Sequence, residues 1–267
     1  MKRYLLIAAL GFSLGASAQL KEGRIVYERT FQLPVRTFRD IDPEIAKQIP
    51  KSRTDQFELL FANNQSLWQF LPNAANDGGE QTFGGGGMVL RFSGGSNEIS
   101  FADFTKRTRV DQREVMEKAF LVSDSLSKLD WKLTDEFKSI LEYNCMKATS
   151  SRVITRTQMS MENGEMKSTP ISDTQTVVAW FTTNIPVPAG PEYQGQLPGL
   201  ILELNIANGQ TVYKAIEISP KVNTGKIKPP KEGKKVTAAE FTKEREKIME
   251  EMQKNMPNGG SFRVRSM

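Results

Sequence analysis

Gly195-Gln196-Leu197-Pro198-Gly199-Leu200-Ile201-Leu202-Glu203-Leu204, followed by Asn208-Gly209 and a second apolar run, decides how this chain folds. Asn-Gly between two apolar runs marks a two-residue hairpin, because a type I′ turn needs positive φ at both central residues. With Asn208 and Gly209 at those centres, Ile206 faces Thr211, Leu204 faces Tyr213 and Leu202 faces Ala215, while Glu203 faces Lys214. One face is then apolar and the other carries an opposite-charge pair, each cross-strand pair contributing about 0.2–1 kcal/mol. A slip of one residue would turn Glu203 inward, so pattern and turn agree on a single register.

The same signals recur on the N-terminal side. Arg24 to Phe31 alternates as a strand, with Ile25 and Tyr27 on one face and Val26 and Glu28 on the other. Arg39 to Lys51 reads as a loop holding a short helix, capped by Asp42 with Pro43 in its first turn. Phe57 to Phe61 and Ser66 to Phe70 form a hairpin around Asn63-Asn64, setting Leu60 opposite Leu67 and Phe57 opposite Phe70. Residues 72–87, with Gly78-Gly79 and the Gly84 to Gly87 run, read as a connector; no Gly-Lys-Ser/Thr ending marks a phosphate loop. Met88 to Phe92 and Glu98 to Phe101 read as a third hairpin, and Arg113 to Ser123 as one or two strands.

Further strands are expected over Trp131 to Leu133, Lys138 to Leu141, Cys145 to Ala148 and Thr174 to Thr182, with Trp131 and Trp180 as core anchors. Pro186, Pro188, Pro191 and Pro198 stiffen the approach to the Asn-Gly hairpin, because proline fixes its own φ and restricts the residue before it. Gly199 supplies a backbone conformation or a close approach that a side chain would block. A capping box, Thr237-Ala238-Ala239-Glu240, opens an amphipathic helix over 237–255, with Phe241, Ile248, Met252 and Met256 along one stripe. The end, Asn258 to Met267, reads as frayed.

Read together, Glu142 to Ala148, Val178 to Thr182, Ile185 to Pro191 and Gly195 to Leu202 recur in an order that resembles the GLPGLI family, secreted proteins of one clade of Gram-negative bacteria. Gln196 departs from the glycine usual in that hexapeptide. The resemblance runs from about Trp131 to Ile218. It implies an exported protein and carries no mechanism with it.

Residues 1–18 read independently as a secretory signal. Lys2 and Arg3 are followed by an apolar stretch to Leu14 and by Ala16-Ser17-Ala18, so cleavage is expected after Ala18. The apolar stretch is shorter than the roughly 20 residues a membrane span needs. The reading is therefore an exported protein of the periplasm, with no transmembrane segment.

Of 36 basic and 31 acidic residues, losing Lys2 and Arg3 leaves 34 against 31, a net +3 too mild to point to nucleic acid. Much of the basic excess sits locally, at Lys221, Lys226, Lys228, Lys231, Lys234 and Lys235, among Pro229, Pro230 and Gly233. The division expected is a signal over 1–18, an antiparallel β-rich domain over 19–220, and a basic linker, helix and tail over 221–267. The fold class is mainly β with few helices: a curved antiparallel sheet or open half-barrel with a C-terminal helix.

The chain has no histidine and one cysteine, Cys145. Ser-His and Cys-His catalysis and histidine-containing zinc sites are excluded, and no intramolecular disulfide can form. Asp, Glu, Ser and Lys remain available, yet no pair of carboxylates stands out, so no catalytic residue, metal or cofactor is assigned. The motif residues Leu197, Pro198, Gly199, Leu200 and Ile201 are the candidate site, either as a structural element or as a docking surface. Two functions fit: a non-enzymatic envelope carrier holding a lipid or lipopeptide on a concave sheet, or an accessory protein binding an outer-membrane partner through sheet edges or that loop.

Overall fold

The computed structural model describes residues 19–33, 50–72, 81–85, 88–93, 98–162, 165–254 and 263–265. The predicted signal at 1–18 and the predicted Asp42-capped helix lie outside them.

Two hairpins formed by the strongest turn signals frame the centre of the sheet. Strands β1 (Gly23–Gln32), β2 (Ser52–Ala62) and β3 (Gln65–Phe70) run antiparallel, and Phe57 pairs with Phe70 and Leu60 with Leu67, as the pattern requires. Asn63 and Asn64 take φ of 52° and 57° at the turn, a left-handed pair that asparagine tolerates better than most residues. At the second hairpin, β12 (Leu200–Ile206) and β13 (Thr211–Ser219) hold the expected register from Ile206↔Thr211 to Glu203↔Lys214. Asn208 and Gly209 have φ of 54° and 91°, and Asn205 Oδ1 accepts from the Gly209 N–H at 2.7 Å.

The expected pair Leu202 and Ala215 is not made. The ladder between β12 and β11 (Glu165–Thr182) shifts between Trp180↔Glu203 and Phe181↔Ile201, leaving Leu202 as the extra residue of a bulge. On its other side β13 pairs with β1 along its whole length, from Thr211 to Ser219.

The remaining strands are β4 (Gln81–Gly85), β5 (Met88–Ser93), β6 (Ile99–Asp103), β7 (Thr108–Val115), β8 (Lys118–Ser125), β9 (Lys132–Ile140), β10 (Tyr143–Glu162), β14 (Lys234–Thr237) and β15 (Arg263–Arg265). Twelve strands form one open sheet in the order β14-β8-β7-β6-β3-β2-β1-β13-β12-β11-β10-β9. All its pairings are antiparallel except β14 with β8. The chain is thus mostly β, with its one α-helix among the described residues, α1 (Ala238–Lys254), near the C-terminus.

Several local expectations change. Met88 to Phe92 does not pair with Glu98 to Phe101. β5 pairs with β4 and β15 in a separate three-stranded sheet, and β6 lies between β3 and β7 with Phe101 opposite Leu67. The glycine-rich connector therefore contains strand β4, which shows no alternation because glycine has no side chain to display it. The frayed tail likewise contains β15. The basic linker ends in β14, so Lys234 and Lys235 belong to the sheet. Arg113 to Ser123 spans the end of β7 and most of β8, joined through Met116 and Glu117 at φ of 50° and 65°.

The helix begins as its sequence requires. Thr237 Oγ1 accepts from the Glu240 N–H at 3.3 Å, and Glu240 Oε2 accepts from the Thr237 N–H at 2.7 Å. Phe241 and Ile248 are buried against Val115, Phe120, Val122 and Val236. None of the described helices is long and apolar enough to cross a membrane.

Candidate functional site

The predicted site residues close the crossover from β11 to β12 and open β12, whose first two residues are Leu200 and Ile201, and most of them face inward. Leu197, Gly199, Leu200 and Ile201 are buried, and Pro198 is exposed. The approach to them is tied down by backbone hydrogen bonds. Leu200 N–H donates to Ile185 O at 3.1 Å, Ile201 N–H to Ala189 O at 2.9 Å, and Gly195 N–H to Pro188 O at 2.6 Å. Gly199 is required by close approach: a Cβ built there would lie 2.1 Å from the Thr182 carbonyl oxygen, so any side chain collides with backbone. Leu197, read from sequence as part of either a structural element or a docking surface, is buried beside Tyr193, Ile201 and Leu204.

Gln196 has a definite task. Its Oε1 accepts from the Leu129 N–H and from the Trp131 indole N–H, each at 3.0 Å, fastening the crossover to the segment before β9. Trp131 and Trp180 are half-buried rather than fully enclosed, packed at the margins of the core clusters.

Beneath the crossover lies a polar and aromatic layer that periodicity alone does not single out. In β1 and β2, Tyr27 pairs with Phe57 and Arg29 with Asp55, so all four share a face. Trp68 stacks on Phe57 with centroids 5.1 Å apart and meets Tyr27 at 5.2 Å and Tyr213 at 5.9 Å. Arg29 lies over the Phe57 ring at 4.7 Å. Its Nη2 donates to Asp55 at 2.7 Å, and Arg53 Nε donates to the other carboxylate oxygen at 2.8 Å.

The crossover closes this layer from above. Tyr27 donates its hydroxyl to Ile201 O at 2.6 Å, Tyr213 donates to Glu192 at 2.8 Å, and Ser66 donates to the amide oxygen of Gln194. Among the described residues, Arg29 Nε and the Tyr193 hydroxyl have no hydrogen-bond partner.

The charges follow from this packing. Burial alone would raise the Asp55 carboxyl, but hydrogen bonds and attraction from Arg29 and Arg53 outweigh it and hold the group below its ordinary range. Burial pushes Tyr27 and Tyr213 well above the usual phenol range, and Tyr193 up to about 12. Cys145 is buried and free, its thiol pushed up to about 11 chiefly by burial. At neutral pH these phenols and the thiol stay protonated, and Asp55 is engaged by two guanidinium groups. What the layer does chemically is hold the crossover to the sheet. Among the described residues, no group of three or more His, Cys, Asp or Glu could hold a metal ion.

The same face continues toward β9 and there loses its cover. One row across the sheet runs Arg29, Tyr213, Leu204, Ala179, Ala148 and Leu133; another runs Ile201, Phe181, Met146 and Phe137. Leu204, Ala179, Ala148, Ile201 and Phe181 are buried, whereas Leu133 and Phe137 at the ends of the rows are 56% and 55% exposed. Leu133 and Phe137, four residues apart, share a face, and a bulge in which Thr134, Asp135 and Glu136 together stand opposite Lys147 sets Phe137 rather than Asp135 opposite Met146. Sequence reading took Leu133 for an ordinary strand residue and passed over Phe137. The available signal was an aromatic residue set among Asp135, Glu136 and Lys138 in a strand with one neighbour.

No curated protein matches the chain. In fold it is similar to PNGF-II in two crystal forms, P21 and C2, at 17% identity and a TM-score of 0.50 in each. The likeness covers 85% of this chain and 34% or 33% of that one, so this chain spans about a third of the length of PNGF-II. At that identity the likeness concerns fold alone. Residues 131–203, which include the crossover and β9, match the model of a family described as a protein of unknown function (Porph_ging), of a Bacteroidetes type.

Proposed function

We propose that this is an exported, non-enzymatic protein-binding module of the bacterial cell envelope, whose partner covers the β9 margin of the sheet. The carrying observation is the exposure of Leu133 and Phe137 at the ends of two rows that are buried further in. Large apolar side chains continuous with a core mark a surface that gains from being covered. Charges of β9 gather on the other face of the sheet, where Lys138 pairs with Glu203 and Glu136 with Lys147 and both lysines lie over the Trp180 ring, so this margin is left apolar. The bulge discourages simple strand addition at that edge, so side chains rather than the open backbone are the feature offered. The matched family window ends at Glu203 and contains the Gly195 to Leu202 segment, which supports the GLPGLI-type reading. That resemblance and the signal-like residues 1–18 support export to the periplasm.

A lipid or lipopeptide carrier is the second reading, but the face beneath the crossover is filled by Tyr27, Phe57, Trp68 and Tyr213. A ligand there would have to displace packed aromatic rings. The test compares capture of envelope proteins by the mature chain and by the Leu133→Ser, Phe137→Ser double variant. The variant should melt within about 1 °C of the wild type, since exposed substitutions change stability little, and should lose its dominant crosslinked partner. Unchanged capture would overturn the assignment to this margin. A lipid mass retained by the chain in native mass spectrometry would favour the carrier instead.

A further inference from the structure

Between β13 and β14 the chain crosses most of the sheet. In the strand order β1, β2, β3, β6, β7 and β8 lie between these two, so residues 220–233 span roughly 34 Å at about 4.8 Å per strand spacing. The crossing is fastened down along its length. Asn223 Oδ1 accepts from the Gly225 N–H at 3.1 Å and opens a 3₁₀ turn at Thr224–Lys226. Ile227 then drops into the sheet face, buried among Leu60, Ala62, Leu67 and Phe101, with Val222 packed beside it. Pro229 and Pro230 fix an extended path beyond it. Gly233, at φ of 126°, comes so close to β8 that a Cβ there would lie 2.8 Å from the Ala119 backbone. Val236, buried in β14, holds the far end.

What this strap presents outward is lysine. Residues 221–235 carry Lys221, Lys226, Lys228, Lys231, Lys234 and Lys235 against the single acid Glu232, and all six lysines are exposed. Six charges less one leave +5, equal to the net charge of the whole chain, so the rest of the molecule is balanced. Lys234 pairs with Glu244, and the other five lysines have no ion pair with a described residue. Glu58 and Asp103, on the sheet face that Ile227 covers, are already engaged, Glu58 by Arg24 and Gln69 and Asp103 by Gln65 and the Lys106 N–H. The positive field of the strap is left open to solvent.

We infer that this strap is an electrostatic docking face for an anionic phospholipid surface. Residue type and layout select that partner among anions. Arginine's planar fork suits fixed, bidentate contacts with a carboxylate or phosphate, and the strap has no arginine. Lysine ends a flexible stem with a point charge, which suits a diffuse field of many head groups. A row drawn out over roughly 34 Å of one sheet face, with no aromatic residue among the lysines, matches a broad charged plane rather than a base-stacking channel. Each lysine brought near such a plane multiplies partitioning by about five. The strap is separate from the Leu133 and Phe137 margin.

Co-sedimentation of the mature chain with vesicles tests this, comparing phosphatidylcholine alone with phosphatidylcholine carrying about 30% phosphatidylglycerol. The chain should bind the anionic vesicles at about 0.05 M salt, leave them at about 0.5 M, and ignore the neutral ones. Lys226→Gln, Lys228→Gln, Lys231→Gln together should weaken binding about a hundredfold, at about fivefold for each lysine. Lys118→Gln, Lys243→Gln, Lys247→Gln removes equal charge from exposed positions around α1, which packs on the opposite face of the sheet at Phe120 and Val122. That triple variant should weaken binding less than about fivefold, and melting curves of both report whether the fold is kept. A wild type that ignores anionic vesicles at low salt would overturn the proposal. So would equal losses in the two triple variants, which would make net charge the cause, or retention on polyglutamate without vesicle binding, which would make the partner an acidic protein.

Discussion

Gly199 shows how one absent side chain sets the path of a segment. The Thr182 carbonyl occupies the place where a Cβ would stand, so the constraint is a backbone approach and not a left-handed φ. Gly199→Ala should lower stability by about 1–3 kcal/mol, the range for overpacking a filled site, whereas Pro198→Ala, at an exposed position, should cost under about 0.5 kcal/mol. Urea unfolding of both beside the wild type checks the contrast, and equal midpoints would show that the approach is not rigid. Asp55 makes a second residue-level claim. A carboxyl held low in the folded state contributes stability above its unfolded value of about 3.9, and that contribution fades as pH falls through the folded value. Asp55→Asn leaves Arg29 and Arg53 without their anion and should cost about 3–5 kcal/mol at neutral pH. Its deficit relative to the wild type should shrink below about pH 4, measured as denaturant midpoints against pH. A deficit independent of pH would mean that the carboxylate charge is not what holds the pair.

At the scale of elements, what was legible followed from side-chain chemistry at turns. Asn63-Asn64 and Asn208-Gly209 announce positive φ, and each fixed its register within the hairpin. Thr237 and Glu240 announced the helix start in the same way, through side chains that reach backbone N–H groups. Met116-Glu117 and Leu141-Glu142 turn with the same left-handed geometry but without residues that favour it, so the strand pairs β7–β8 and β9–β10 were recognised only in part. The β12 bulge at Leu202 was hidden because it depends on β11, a neighbour whose register the hairpin does not determine. β14 joins β8 in parallel across more than 100 residues of chain, and a four-residue run of Lys-Lys-Val-Thr carries no mark of such a partner. In the candidate site, the crossover itself was legible from its prolines and Gly199. Its burial was not, because Leu197 and Leu200 read equally well as a surface patch or a core.

Across the whole molecule, β1 is the joint. β2 and the strands toward β14 lie on one side of it, and β13 and the strands toward β9 on the other, so two meanders become one sheet. The crossover stabilises the second half by binding β1 through Tyr27 and β3 through Ser66, linking segments more than 100 residues apart. On this account the motif is an internal fastening of the sheet, apart from the β9 margin proposed above as the surface for a partner. Amide hydrogen exchange resolved by residue tests that division most directly. The Leu200 and Ile201 amides, bonded to Ile185 and Ala189, should exchange only through unfolding of the whole sheet, with the slowest amides of β1 and β2, while amides of β10 and β11 from Ser151↔Thr176 outward, where these strands pair only with each other, exchange far sooner. Leu200 and Ile201 exchanging as fast as those outer amides of β10 and β11 would contradict the account.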